Sequence, residues 1–112
     1  MCDNTNTNLS EIKRTYDLIN INFDAAYQKC DTDAQRKQLV ALRDSARDAF
    51  WKSIAANLSD NHVLIEKSLN DLKTTNDKIQ DAVKSLKDIS AFLNMVTQGV
   101  TLAAAVVTLA AA

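Results

Sequence analysis

A chain of 112 residues with no proline and a single glycine, Gly99, has few ways to turn sharply. Sheets and α/β folds need tight turns, which draw on glycine for positive φ and on proline for a preset φ. The expected class is therefore all-α, with a few long helices and few connections.

The hydrophobic pattern agrees. Leu9, Ile12, Tyr16, Ile19, Phe23, Ala26 and Cys30 recur in steps of three and four, an unbroken heptad seam. Asn8 and Glu11 have capping-box spacing. A first helix is expected over about 8–30, after a polar flexible tail over 1–7. The seam stops at Asp31-Thr32-Asp33, where Thr32 and Gln35 offer a second capping box. A second helix follows over about 33–58, with Leu39, Leu42, Ala46, Ala49, Phe50, Ile54 and Leu58 as its buried stripe. Trp51 stands beside that stripe, with Phe50 as half core and half rim. So short a connection makes these two helices an antiparallel hairpin.

Ser59-Asp60-Asn61 favours a cap or turn, although no glycine or proline enforces one, and a bent continuation of the second helix stays open. Beyond it the period resumes through Ile65, Leu69, Leu72, Ile79, Val83 and Leu86. A long C-terminal helix is expected over about 60–112, completing a coiled-coil-like bundle. Asn76 occupies a seam position, where one polar residue sets register. Lys67–Asp71, Lys73–Asp77 and Lys84–Asp88 are spaced as surface ion pairs.

After Asp88 the character changes. Residues 89–112 carry no charge, and as a helix they span about 36 Å, enough to cross a hydrocarbon core of roughly 30 Å. The chain thus divides into the tail (1–7), an amphipathic helical region (8–88) and an uncharged apolar helix (89–112). Phe92, Leu93, Val96, Val100 and Val107 supply its membrane or oligomer face. Ser90, Asn94, Thr97, Thr101 and Thr108 share another face as a neutral polar stripe. Gly99 and Ala103 form a small-xxx-small pair suited to close helix packing. Lys84 and Lys87 precede the segment, where they can meet lipid headgroups. The first two helices have the length to cover only about half of a helix running from Asp60 onward. The remainder is expected to meet a bilayer, a helical protein partner or further copies of the chain.

Thirteen basic residues nearly balance fourteen acidic ones, which argues against nucleic acid as a partner, since phosphate binding needs a basic excess. His62 and Glu66 are four apart, but two ligands do not make a metal site. With only two glutamates, Glu11 and Glu66, a carboxylate-bridged di-metal bundle is excluded by count. One glycine cannot build a phosphate loop. No catalytic residue, metal, cofactor or small-molecule substrate is indicated, and the chain reads as a protein other than an enzyme. A helix over 8–30 would hold Cys2 and Cys30 roughly 30 Å apart, so both are expected as free thiols in a reducing compartment. Without a signal peptide, cytoplasmic synthesis is expected, with the C-terminus as the route to a membrane.

Two functional readings result. One is a membrane-active helical protein that inserts its uncharged C-terminal helix, as an anchor or as part of an oligomeric pore. The other is a soluble interaction module, an adaptor, inhibitor or bundle subunit, that uses the same helix as its core.

Overall fold

The computed structural model describes residues 7–55 and 63–111. Five helices follow in order: α1 (Thr7–Ile21), α2 (Phe23–Lys29), α3 (Asp33–Ala55), α4 (Val63–Ala82) and α5 (Ile89–Ala111).

The first expected helix is present with a break in it. At Asn22 the side-chain amide donates to the Leu18 carbonyl (2.8 Å), while its own backbone N–H reaches the same oxygen only at 3.4 Å. A side chain competing for an i−4 carbonyl loosens the turn, so α2 continues α1 past this point. The Thr32–Gln35 capping box forms as expected. The Gln35 N–H donates to Thr32 Oγ1 at 3.1 Å, and Gln35 Oε1 accepts from the Thr32 and Asp31 N–H groups. Of the other pair, the Asn8 side chain lies outside the described residues, and the Glu11 carboxylate accepts from Arg14 and Asn76. The Ser59–Asn61 break and His62 also lie outside the described residues.

The expected unbroken helix over 60–112 is instead two helices, α4 and α5, separated by Val83–Asp88. One helix of that span would run about 80 Å, against a longest molecular dimension of 42 Å. The break is made locally. The Lys84 and Ser85 N–H groups reach back three residues and that of Lys87 only two. Asp88 then starts α5 as its N-cap, accepting from the Ala91 N–H at 3.0 Å. Lys84 pairs with Asp81 in place of Asp88.

Side-chain pairs set the directions. Tyr16 stacks near Phe50, and Arg43 lies over Phe23, so α1 and its continuation α2 run antiparallel to α3. Gln35 meets Ser90 and Gln38 meets Thr97, so α3 and α5 are parallel. Leu69 and Leu72 cluster with Val106 and Val107, while Ile79 meets Gly99, so α4 and α5 are antiparallel. Glu11 meets Asn76 and Arg14 meets Gln80, so α1 and α4 are parallel. The result is a four-helix bundle with the cyclic order α1, α3, α5, α4, in which α3 and α4, consecutive in the chain, sit diagonally.

Its core has two apolar layers. One contains Ile19, Leu39, Ile79, Phe92, Leu93 and Val96; the other contains Ile12, Leu69, Leu72, Ala103 and Val106. Helix α5 contributes to both. Between them lies a waist of Thr15, Thr75, Asn76 and Gly99, all buried.

Candidate functional site: an uncharged helix inside the bundle

Asp88 is the last charged residue of the sequence, and it also caps α5. The helix therefore begins where charge ends. Its inner face is made by Phe92, Leu93, Val96, Val100, Ala103, Val106 and Val107, each at most 7% exposed. The residues expected to form a membrane or oligomer face thus lie in the protein's own core. This corrects the expectation that the first two helices cover only about half of one long helix running from Asp60 onward. Because the chain turns back at Val83–Asp88, α4 itself becomes a covering helix alongside α1 and α3.

The small-xxx-small pair is also turned inward. A Cβ on Gly99 would lie 3.2 Å from Ile79 Cδ1, 3.6 Å from Thr15 Cγ2 and 3.7 Å from Thr75 Cγ2. Glycine lets α5 approach α1 and α4 at the waist, where any larger residue would push the Ile79 side chain aside. Beside it Asn76 is fully buried and well partnered. Its amide donates to the Glu11 carbonyl (3.1 Å) and carboxylate (3.2 Å), and the Thr15 hydroxyl lies 2.9 Å from its carbonyl oxygen. A buried amide with all these bonds met favours the one α1–α4 register that supplies them. Arg14 extends the network to Asp77 at 2.6 Å. The hydrogen bond from Arg14 holds the Asp77 carboxyl below its ordinary range, with Lys73 adding to the effect.

The neutral stripe takes the opposite side. Ser90, Asn94, Thr97, Thr101 and Thr108 are all exposed, together with Gln98, Ala104 and Ala105. Three of the stripe's hydroxyls bond to their own helix, from Thr97 to the Leu93 carbonyl (2.7 Å), Thr101 to that of Thr97 (2.8 Å) and Thr108 to that of Ala104 (2.9 Å). These three hydroxyls donate within the helix, while the exposed Asn94 and Gln98 amides keep the face polar without charge. Ile89–Leu109 is long and apolar enough to cross a membrane, and 44% of the span is buried in the bundle. A soluble protein's core helix can have the same composition.

Elsewhere, Phe50 is half-buried against Tyr16, and its neighbour Trp51 is 59% exposed. Ile54, near the same end of α3, is 44% exposed. Among the described residues no three His, Cys, Asp or Glu side chains converge as metal ligands. Cys30 is buried, and that burial pushes its thiol upward from the ordinary range. Two features escaped the sequence reading. The capping role of Asp88 carries a sequence signal, an aspartate directly before an apolar run. The partnership of Thr15 with Asn76, 61 positions apart, carries none.

Comparison with protein-family models, with curated proteins and with solved structures finds no match.

Proposed function

We propose that the protein is membrane-active: it holds α5 covered in a water-soluble bundle and delivers it into a bilayer, where several copies assemble around their neutral stripes as a pore. The observation that carries this reading is the absence of charge from every side of α5, including the side that faces solvent. Folding needs only the inner face to be apolar, and an outer face in water ordinarily carries lysine and glutamate. A helix that leaves water for lipid must shed charge all round, because a charged side chain at the bilayer centre costs about 2.5–3.5 kcal/mol on insertion scales. The self-satisfied threonine hydroxyls serve the same requirement. Inside an assembly, neutral polar side chains can bond across helices or line a wet lumen.

Thr101 allows a clean test because it is exposed in the bundle and lies near the middle of α5. Thr101→Lys leaves the core untouched, so its thermal melt should match the parent protein. Co-sedimentation with anionic liposomes and release of a trapped dye should both fall sharply. Undiminished binding and leakage by a folded Thr101→Lys protein would rule out insertion of α5.

The second reading is a soluble interaction module in which the uncharged face of α5 docks a partner helix or a second copy. The glutamines of α3 that bond to Ser90 and Thr97 favour it, since they show the stripe accepting neutral polar partners. It requires a defined assembly in detergent-free buffer whose mass lipid does not change.

A further inference from the structure

The geometry points to Val83–Asp88 as a hinge at which α4 and α5 straighten into one continuous helix on membrane entry, an inference that rests on the membrane reading above. The starting point is a conflict between insertion and the folded hairpin. Helix α5 packs antiparallel to α4, whose outer face carries Lys67, Asp71, Lys73, Asp77, Lys78 and Asp81. Driving the hairpin into lipid as a unit would take these charges with it. Insertion of α5 therefore requires it to part from α4, and the joint that links them is Val83–Asp88.

That joint is built to open. It contains neither glycine nor proline, so no residue in it forbids helix. The apolar period runs through it: Leu72, Asn76, Ile79, Val83, Leu86, Ile89, Leu93, Val96, Val100, Ala103 and Val107 advance by three or four at every step. What ends α4 is only a set of short backbone bonds and the single cap from Asp88 to Ala91. Lys84, Ser85, Lys87 and Asp88 are exposed, and only Val83 and Leu86, each half-buried, pack the turn against the core. Straightening would return the missing i→i−4 bonds and place Lys84 and Asp88 at ion-pair spacing.

The product is a helix over Val63–Ala111 of about 74 Å. Its last ~35 Å, α5, spans the hydrocarbon. Lys84 and Lys87 come to rest at the headgroups, and the charged α4 stands in water on the entry side.

The test places spin labels at Asn70→Cys and Thr108→Cys, both exposed, in a background of Cys2→Ser and Cys30→Ala. In the hairpin these positions flank the same core layer, within roughly 25 Å, the width of two packed helices. In one helix they stand about 57 Å apart. The expected result is a short distance in buffer and a long, narrowly distributed one on vesicles of mixed zwitterionic and anionic phospholipid. Vesicle binding with the short distance retained overturns the hinge and leaves the membrane reading standing. Absence of binding overturns both.

Ser90→Pro provides an independent check. In the hairpin Ser90 lies in the first turn of α5, before the first i→i−4 bond at Phe92, where proline is tolerated. In the straight helix it is interior, where proline disrupts. Ser90→Pro should keep the melt of Ser90→Ala in buffer and release dye at least tenfold less than Ser90→Ala, which loses the same hydroxyl without disrupting a helix. Full leakage and a long label distance in folded Ser90→Pro would exclude a continuous helix.

Discussion

Helices α4 and α5 are two arms of one antiparallel hairpin, with 20 and 23 residues, and each buries one face. The inner faces are alike in function: Leu69, Leu72 and Ile79 pack from one side, Phe92, Val96 and Val106 from the other. The outer faces differ in kind. That of α4 alternates lysine and aspartate, with pairs Lys67–Asp71 and Lys73–Asp77, while that of α5 has serine, asparagine, threonine and alanine. Both faces meet the same water in the bundle, so water does not explain the difference. The inner face reports what the fold demands. Under the proposed membrane role, the outer face, which the fold leaves free, answers to a second environment that only α5 enters.

The comparison requires the inner faces to be equivalent in the folded state, and this is where the largest effects lie. Phe92→Ala, from α5, should destabilise by about 3–5 kcal/mol, and Leu72→Ala, from α4, by about 2–5 kcal/mol, both measured by urea unfolding. A negligible loss for Phe92→Ala would mean that α5 is not core in solution and would break the comparison at its base.

Outer-face exchange is next. Thr101→Lys and its mirror in α4, Lys78→Thr, should each shift folding stability by no more than about 0.5 kcal/mol. Only the first should lower bilayer insertion, by about 2.5–3.5 kcal/mol or on the order of a hundredfold. Equal effects of both on liposome binding would show that the two outer faces share one environment.

The joint between the arms is worth less. Asp88→Ala removes the cap on α5 and should cost about 1 kcal/mol in bundle stability, readable as a lower unfolding midpoint. Under the hinge proposal it should also speed dye release, because the hairpin loses about 1 kcal/mol of cap and the straight helix only a surface ion pair of about 0.3–0.5 kcal/mol.

The smallest effect concerns α4 and its charged face. The folded-state pKa of Asp77 is depressed below its ordinary value of 3.8 by the bond from Arg14. Its contribution is therefore fully present above the unfolded pKa and is lost as pH falls through the folded one. Melts of the parent and of Asp77→Asn should be fully separated above about pH 4 and draw together progressively as pH falls below it, through the lowered folded-state pKa. Both groups are partly exposed, so the gap should be modest and shrink further in salt.

The sequence made the helical class plain, along with the seam of α1, the Thr32–Gln35 cap and the start of the uncharged segment. These are local signals, a period and a capping pair. The hairpin at Val83–Asp88 was not legible, because the apolar period crosses it and no glycine or proline interrupts. The bend at Asn22 was hidden for the same reason, with Phe23, Ala26 and Cys30 continuing the seam. The inner and outer faces of α5 could be told apart by spacing alone. What covers the inner face could not, since a period states that a face is buried and is silent on the partner. That partner became visible only when the chain was seen to fold α5 back onto α4, beside α1 and α3.

One measurement asks whether the outer face of α5 enters lipid. Thr101→Cys, in the background lacking Cys2 and Cys30, carries an environment-sensitive fluorophore that is solvent-exposed in the bundle. On vesicles the emission should shift to the blue and be quenched by lipids with a quencher near the bilayer centre. An unshifted, unquenched probe on protein that has bound the vesicles would show that α5 stays outside the hydrocarbon, and the helix would then be the core of a soluble module.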